Sequence, residues 1–147
     1  FPNLANKITE LLYLVNNDLA EDNSKDIILS AAVKPNIIEA KNKWFQEWDV
    51  WLENGLLDFA VPMNYFNDIS NYNLSIEIMK NYLSDDSLDK VIMGIATYNQ
   101  NAESVSDKIY ISRLNGFKGI SIFSYNSHEN DLEWFEPIIK SMNIDFN

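Results

Sequence analysis

The chain has 147 residues, 46% of them hydrophobic and 22% charged, and its net charge is −11 with a pI near 4.3. That is enough apolar material for one packed domain, and the acidic balance argues against nucleic acid or an anionic membrane as a partner. The absence of cysteine excludes disulfides, thiolate nucleophiles and zinc–thiolate sites.

The acidic residues are spread along the sequence, as on a solvated surface. No uninterrupted apolar stretch is long enough to span a membrane. The first residue is Phe1, not methionine, which reads as a processed chain or a piece of a longer one. Leu4, Ile8, Leu11, Leu12 and Val15 fall at helical spacing, and Pro2 stands where a first turn tolerates it. The polar run Glu21-Asp22-Asn23-Ser24-Lys25 breaks that helix. Ile27 to Val33 reads as a buried strand closed by Lys34-Pro35, and a residue before proline is held extended. A long connection follows, rich in aromatic residues (Trp44, Phe45, Trp48, Trp51). Its last turns look helical, with Trp48, Trp51 and Leu52 on one side and Gly55 as the stop.

Leu56 to Val61 is apolar on both faces, the pattern of a parallel strand covered by helices. Pro62 cannot donate to a ladder, so the strand ends there. Asn64 and Tyr65 then emerge at its carboxyl end, where open α/β sheets and α/β barrels place their ligands. The next helix is expected from about Leu74 to Leu83, with Ile76, Ile78, Met79 and Tyr82 on its apolar face. Lys90 to Thr97 is a third strand, followed by Tyr98-Asn99-Gln100. Ser104, with Asp107 three residues on, is the expected N-cap of a helix that carries Val105, Ile109 and Leu114 inward and stops at Gly116. Phe117 to Phe123 is a fourth strand, closing at Ser124-Tyr125-Asn126. A last helical segment, interrupted by Pro137, ends near Met142.

Strand starts near Asp26, Leu57, Lys90 and Phe117 lie 31, 33 and 27 positions apart, and a βαβ unit takes about 30 residues. The expected fold is therefore α/β, with four consecutive parallel βα units preceded by one helix in a single domain over residues 1–147. Four such units make either a small doubly wound sheet or half of a (β/α)₈ barrel.

Several segments resemble the bacterial glycosyl-hydrolase-10-like family. They are Phe45-Gln-Glu-Trp48 with Trp51-Leu52 and Gly55, then Leu57-Asp-Phe-Ala-Val-Pro-Met-Asn-Tyr65, and then Gly116-Phe-Lys-Gly-Ile-Ser-Ile-Phe-Ser-Tyr125. Met93-Gly-Ile-Ala-Thr-Tyr98 is similar to that family's seventh-strand pattern. The resemblance implies a (β/α)₈ TIM barrel of which this chain is the carboxyl-terminal half, strands five to eight. It implies hydrolysis of a bacterial polysaccharide or cell-wall glycan by the parent protein, in an exported or cell-envelope setting. The family's most acidic motif, after the fourth strand, lies outside this chain. The implied partners are a glycan substrate and either the amino-terminal half of the barrel or a second copy of the chain.

Glycoside hydrolysis usually needs two carboxylates roughly 5 to 10 Å apart. The residues at the four strand ends are Lys34, Asn64-Tyr65, Asn99-Gln100 and Ser124-Tyr125-Asn126, none of them acidic. Asp68, Glu103 and Glu129 lie further out and Asp58 at the amino end of its strand, where each reads as a solvated or capping carboxylate. The strand ends suit sugar binding instead. Tyr65, Tyr98 and Tyr125 offer flat faces with a polar tip, while Asn64, Asn99, Gln100 and Asn126 pair donors with acceptors. Any one tyrosine at a strand end also reads as core packing with a surface hydroxyl. Lys34 could meet an anionic group on a glycan, and Trp44, ahead of the core pair Trp48 and Trp51, is the expected aromatic platform. His128 stands without partners for a metal site, and no Gly-rich phosphate turn or Gly-x-Ser-x-Gly elbow occurs, so no cofactor is expected.

Overall fold

The computed structural model describes residues 4–21 and 27–142. The expectations for Pro2, for 22–25 and for a strand start at Asp26 lie outside the described residues. Those residues alternate helix and strand: α1 (Leu4–Glu21), β1 (Ser30–Val33), α2 (Ile37–Trp44), α3 (Trp48–Glu53), β2 (Phe59–Pro62), α4 (Ile69–Tyr82), α5 (Asp85–Leu88), β3 (Ile92–Ala96), α6 (Ala102–Leu114), β4 (Gly119–Phe123) and α7 (Glu136–Met142). Short 3₁₀ turns at Tyr125–His128 and Leu132–Phe135 join β4 to α7. Each strand starts two or three residues later than its apolar run. Leu56 and Leu57 are buried without pairing, and Ile27 and Ile28 are exposed. Hydrophobicity marked the approach to the sheet as well as the ladder.

The strands are parallel. β1 pairs with β2 from Ser30↔Phe59 to Val33↔Pro62, and β3 pairs with β4 from Ile92↔Gly119 to Ala96↔Phe123. These are two small sheets, joined by isolated parallel bridges at Ala60↔Val91 and Met63↔Gly94. The interruption between them has a chemical cause. The Ala60 N–H donates to the Lys90 carbonyl at 3.0 Å. In a parallel pair the next donor on that side comes two residues later, and there stands Pro62, which has no N–H. The two sheets still approach closely, because Gly94 faces Pro62: a Cβ at Gly94 would lie 2.7 Å from the Pro62 carbonyl oxygen.

Helices cover one face of the strands. Val33, Ala60, Met93 and Ile95 pack against Ile37, Trp48, Trp51, Leu52, Ile76, Met79, Val105 and Ile109 in one cluster. Trp48 and Trp51 are core residues, as their spacing predicts. Burial of both faces holds only for β3, with four of its five residues buried. At β1 and β4, Ser30, Ala32, Ser121 and Phe123 are exposed, since each of these strands has one strand neighbour among the described residues.

Several local expectations shift. Gly55 and Gly116 stop their helices with φ of +67° and +78°, conformations that cost a side chain. Phe45, with φ +58°, provides a further left-handed stop, so the 37–54 connection is two helices. The cap of α6 is Asn101, whose side chain accepts from the Ser104 N–H, and not Ser104 itself. α4 begins at Ile69 because Asp68 caps it, and Pro137 lies in the first turn of α7 without interrupting it. Leu114 and Tyr82 face solvent instead of the core. α1 buries no residue completely. It docks through half-buried Ile8 and Leu12 and through Trp51, whose Nε1–H donates to Thr9 Oγ1 at 2.8 Å.

The Pro62–Gly94 contact yields a direct test. Gly94→Ala should cost about 1–3 kcal/mol in urea unfolding, because the methyl group meets backbone that cannot rotate away. Gly119→Ala, where a Cβ would meet nothing within 4 Å, serves as the control and should be close to neutral.

Candidate functional site

The carboxyl ends of β2, β3 and β4 carry three rings in mutual contact. Tyr65 and Phe123 stack with centroids 5.7 Å apart and planes 10° apart, and Tyr98 stands edge-on to both at 6.3 Å. Tyr98 and Phe123 are each more than half exposed, while Tyr65 is half-buried. Desolvation, helped by the neighbouring Tyr98 phenol, raises the Tyr65 pKa, so its hydroxyl stays a neutral donor. The Asn99 side chain donates to the Tyr65 carbonyl at 3.0 Å and ties the loops after β2 and β3 together. The cluster follows from register. Phe123 pairs with Ala96 at the last rung of β3–β4, one residue before Thr97 and Tyr98 leave the sheet.

Tyr125 belongs to a second aromatic group, stacked on Phe135 at 5.5 Å and exposed on its other side. His128, expected to stand alone in a loop, lies flat on Trp134 with centroids 3.7 Å apart. Its Nε2 is hydrogen-bonded to the Thr97 carbonyl at 3.1 Å. It is a packing residue that holds the turn after β4 against β3.

The third part of the surface is built after β1. The chain leaves the strand at Lys34, runs through α2 and returns. The Lys34 N–H donates to Gln46 Oε1 at 2.8 Å, and Trp48 Nε1–H donates to the Lys34 carbonyl at 3.0 Å. The Lys34 ammonium sits 4.6 Å above the Trp44 ring, which is exposed. A groove of about 300 Å³ opens beside it, lined by Lys34, Asn36, Glu39, Tyr65, Phe66, Asn71 and Leu74 among others. The Glu39 carboxylate accepts from Lys43 at 3.2 Å, and that bond holds its pKa down.

Two candidates do not face outward. Asn64 is completely buried and donates through Nδ2 to the Tyr72 carbonyl at 3.2 Å. Gln100 is half-buried, donating to the Ala96 carbonyl and accepting from Lys108 Nζ. Both follow a strand directly, yet the first turn after each strand directs them into the core. Lys34, Tyr65, Tyr98, Asn99 and Tyr125 remain partly or fully exposed after their strands, and Trp44 is exposed at the end of α2.

Lys108 is the residue that sequence reasoning missed. It is 0% exposed and appears in no ion pair among the described residues. Its ammonium donates to Gln100 and, at 3.0 Å, to the Asn67 carbonyl, so one cation joins the loops that follow β2 and β3. It also faces the Tyr72 ring at 5.6 Å. Desolvation lowers its pKa, partly offset by the more distant Asp68 and Asp107. A signal was present. Lys108 shares the Val105, Ile109 and Ser112 side of α6, the buried side of that helix.

The acidic side chains near the strands are used locally. Asp58 Oδ2 accepts from the Leu29 N–H at 2.7 Å at the amino end of β2. Asp68 caps α4, and Glu103 and Glu129 are exposed. Among the described residues no group of His, Asp or Glu is placed to hold a metal ion. Comparisons with family profiles, with curated proteins and with solved structures found no match.

Lys108 can be tested through stability. Lys108→Ala should destabilise the chain by about 2–4 kcal/mol, from the cavity and from the acceptors left unpaired. The native pKa is lowered below the unfolded value of about 10.4, so between those two values the unfolded state binds more protons and stability rises with pH. Urea midpoints measured from pH 8 to 10 should therefore show the gap between wild type and variant widening.

Proposed function

We propose that the chain supplies the carbohydrate-binding face of a glycan-acting protein of the glycosyl-hydrolase-10-like kind, on a scaffold that is the carboxyl-terminal half of a (β/α)₈ barrel. The single observation that carries this reading is the exposed ring cluster of Tyr65, Tyr98 and Phe123 at the carboxyl ends of three consecutive parallel strands. Sugar rings present apolar C–H faces edged with hydroxyls, and an exposed aromatic surface flanked by phenol hydroxyls and the Asn99 amide complements both. The barrel half is supported by the sequential parallel pairing and by helices on one face only, with the small residues Ser30, Ala32 and Ser121 open on the other. On this reading the open face and the outer edges of β1 and β4 are completed by the amino-terminal half or by a second copy of the chain.

A second reading, a non-catalytic carbohydrate-binding or assembly module on the same scaffold, is favoured by the carboxylates. Among the described residues none stands at the carboxyl end of a strand, and Asp58 and Asp68 are engaged with backbone N–H groups. In either case this half binds, and any acid/base pair comes from elsewhere in the assembled protein.

The test is binding of the chain to a panel of neutral and acidic oligosaccharides by calorimetry. At least one should bind, and Tyr98→Ala, at an exposed position, should weaken that binding about five- to tenfold with an unchanged circular dichroism spectrum. Binding to no glycan, or binding indifferent to Tyr98→Ala, would remove the reading.

A further inference from the structure

We propose that the groove beside Lys34 is a subsite for a sugar bearing a carboxylate, so that the glycan bound at the strand ends is a polyuronide or another acidic chain. This rests on the carbohydrate-binding reading above and adds the substrate class to it. The first observation is charge. In a chain of net charge −11, residues 34–44 hold Lys34, Lys41 and Lys43 against the single acid Glu39. Lys43 is paired with Glu39 at 3.2 Å and Lys41 with Glu47 at 3.0 Å. Lys34 forms none of the ion pairs among the described residues, and its charge acts on the Glu39 carboxylate only at longer range, so it is the lysine of this stretch without a contact carboxylate. The second observation is position. Lys34 directly follows β1, and it shares the groove with Tyr65, a member of the ring cluster at the end of β2. A glycan lying across the rings reaches Lys34 with its next residues.

The third observation is preorganisation. The Lys34 backbone is held on both sides, by Gln46 Oε1 and by Trp48 Nε1, and its ammonium rests over the Trp44 ring. A cation parked on an aromatic face keeps little of its hydration on that side and needs only a short swing to meet a carboxylate. Glu39 lines the same groove, and its partnership with Lys43 neutralises the charge that would otherwise repel an acidic ligand. The groove volume of about 300 Å³ is of the size that takes a small ligand or one sugar unit.

The experiment compares oligogalacturonate, oligomannuronate and hyaluronan oligomers with neutral cello- and xylo-oligosaccharides by calorimetry on the whole chain, for wild type, Lys34→Met and Lys34→Arg. The expected result is preferential binding of an acidic oligomer, weakened about tenfold by Lys34→Met and largely retained by Lys34→Arg, with neutral oligomers unaffected by either change. Thermal unfolding of Lys34→Met should match wild type, which separates lost recognition from lost folding. Binding of neutral oligomers alone, or acidic binding unchanged in Lys34→Met, would overturn the subsite and leave the carbohydrate reading standing. Binding of no oligomer would overturn both.

Discussion

The surface at the strand ends depends on one backbone contact, the approach of Pro62 to Gly94. Pro62 removes the donor that would continue the ladder from β2 to β3, and Gly94 removes the side chain that would hold the strands apart. The two sheets therefore meet through van der Waals contact and a pair of bridges. Tyr65 and Tyr98 are brought into contact by this approach, since they follow Pro62 and Gly94 by three and four residues. Lys108 and Asn99 then stitch the two loops above the seam, with an ammonium and an amide where the ladder had to stop.

That arrangement explains which features were legible in the sequence. Glycine stops at Gly55 and Gly116, the buried pair Trp48 and Trp51 and the parallel βα alternation are written in local pattern and were readable. The orientation of Asn64 and Gln100 was not, because it depends on the Tyr72 carbonyl and on Lys108, eight residues further along in each case. The α6 cap is ambiguous in sequence because both Asn101 and Ser104 suit the role, and only the backbone geometry chooses Asn101. Local pattern makes Phe123 simply the end of a strand. Its place in the ring cluster comes from its pairing with Ala96, which no single-strand pattern contains.

The distribution of polar chemistry is consistent throughout. Carboxylates go to helix caps, to the Leu29 N–H and to lysines on the exposed helix surface, while rings, amides and a lysine gather at the strand ends. On the binding proposal, a surface of this composition would recognise its ligand by shape, stacking and hydrogen bonding. On the half-barrel proposal, any proton transfer would be supplied by the other half of the barrel.

Residues 34–48 form a closed excursion whose two ends are fastened to each other at Lys34. The turn between Trp44 and Glu47 carries Gln46, the acceptor of the Lys34 N–H, so a change in the length of that turn would be felt at the end of β1. The contents of the groove would change at once. Groove and strand end are thus coupled through Lys34, and under the ligand-binding proposal the groove cannot be reshaped at this turn without moving its own cation.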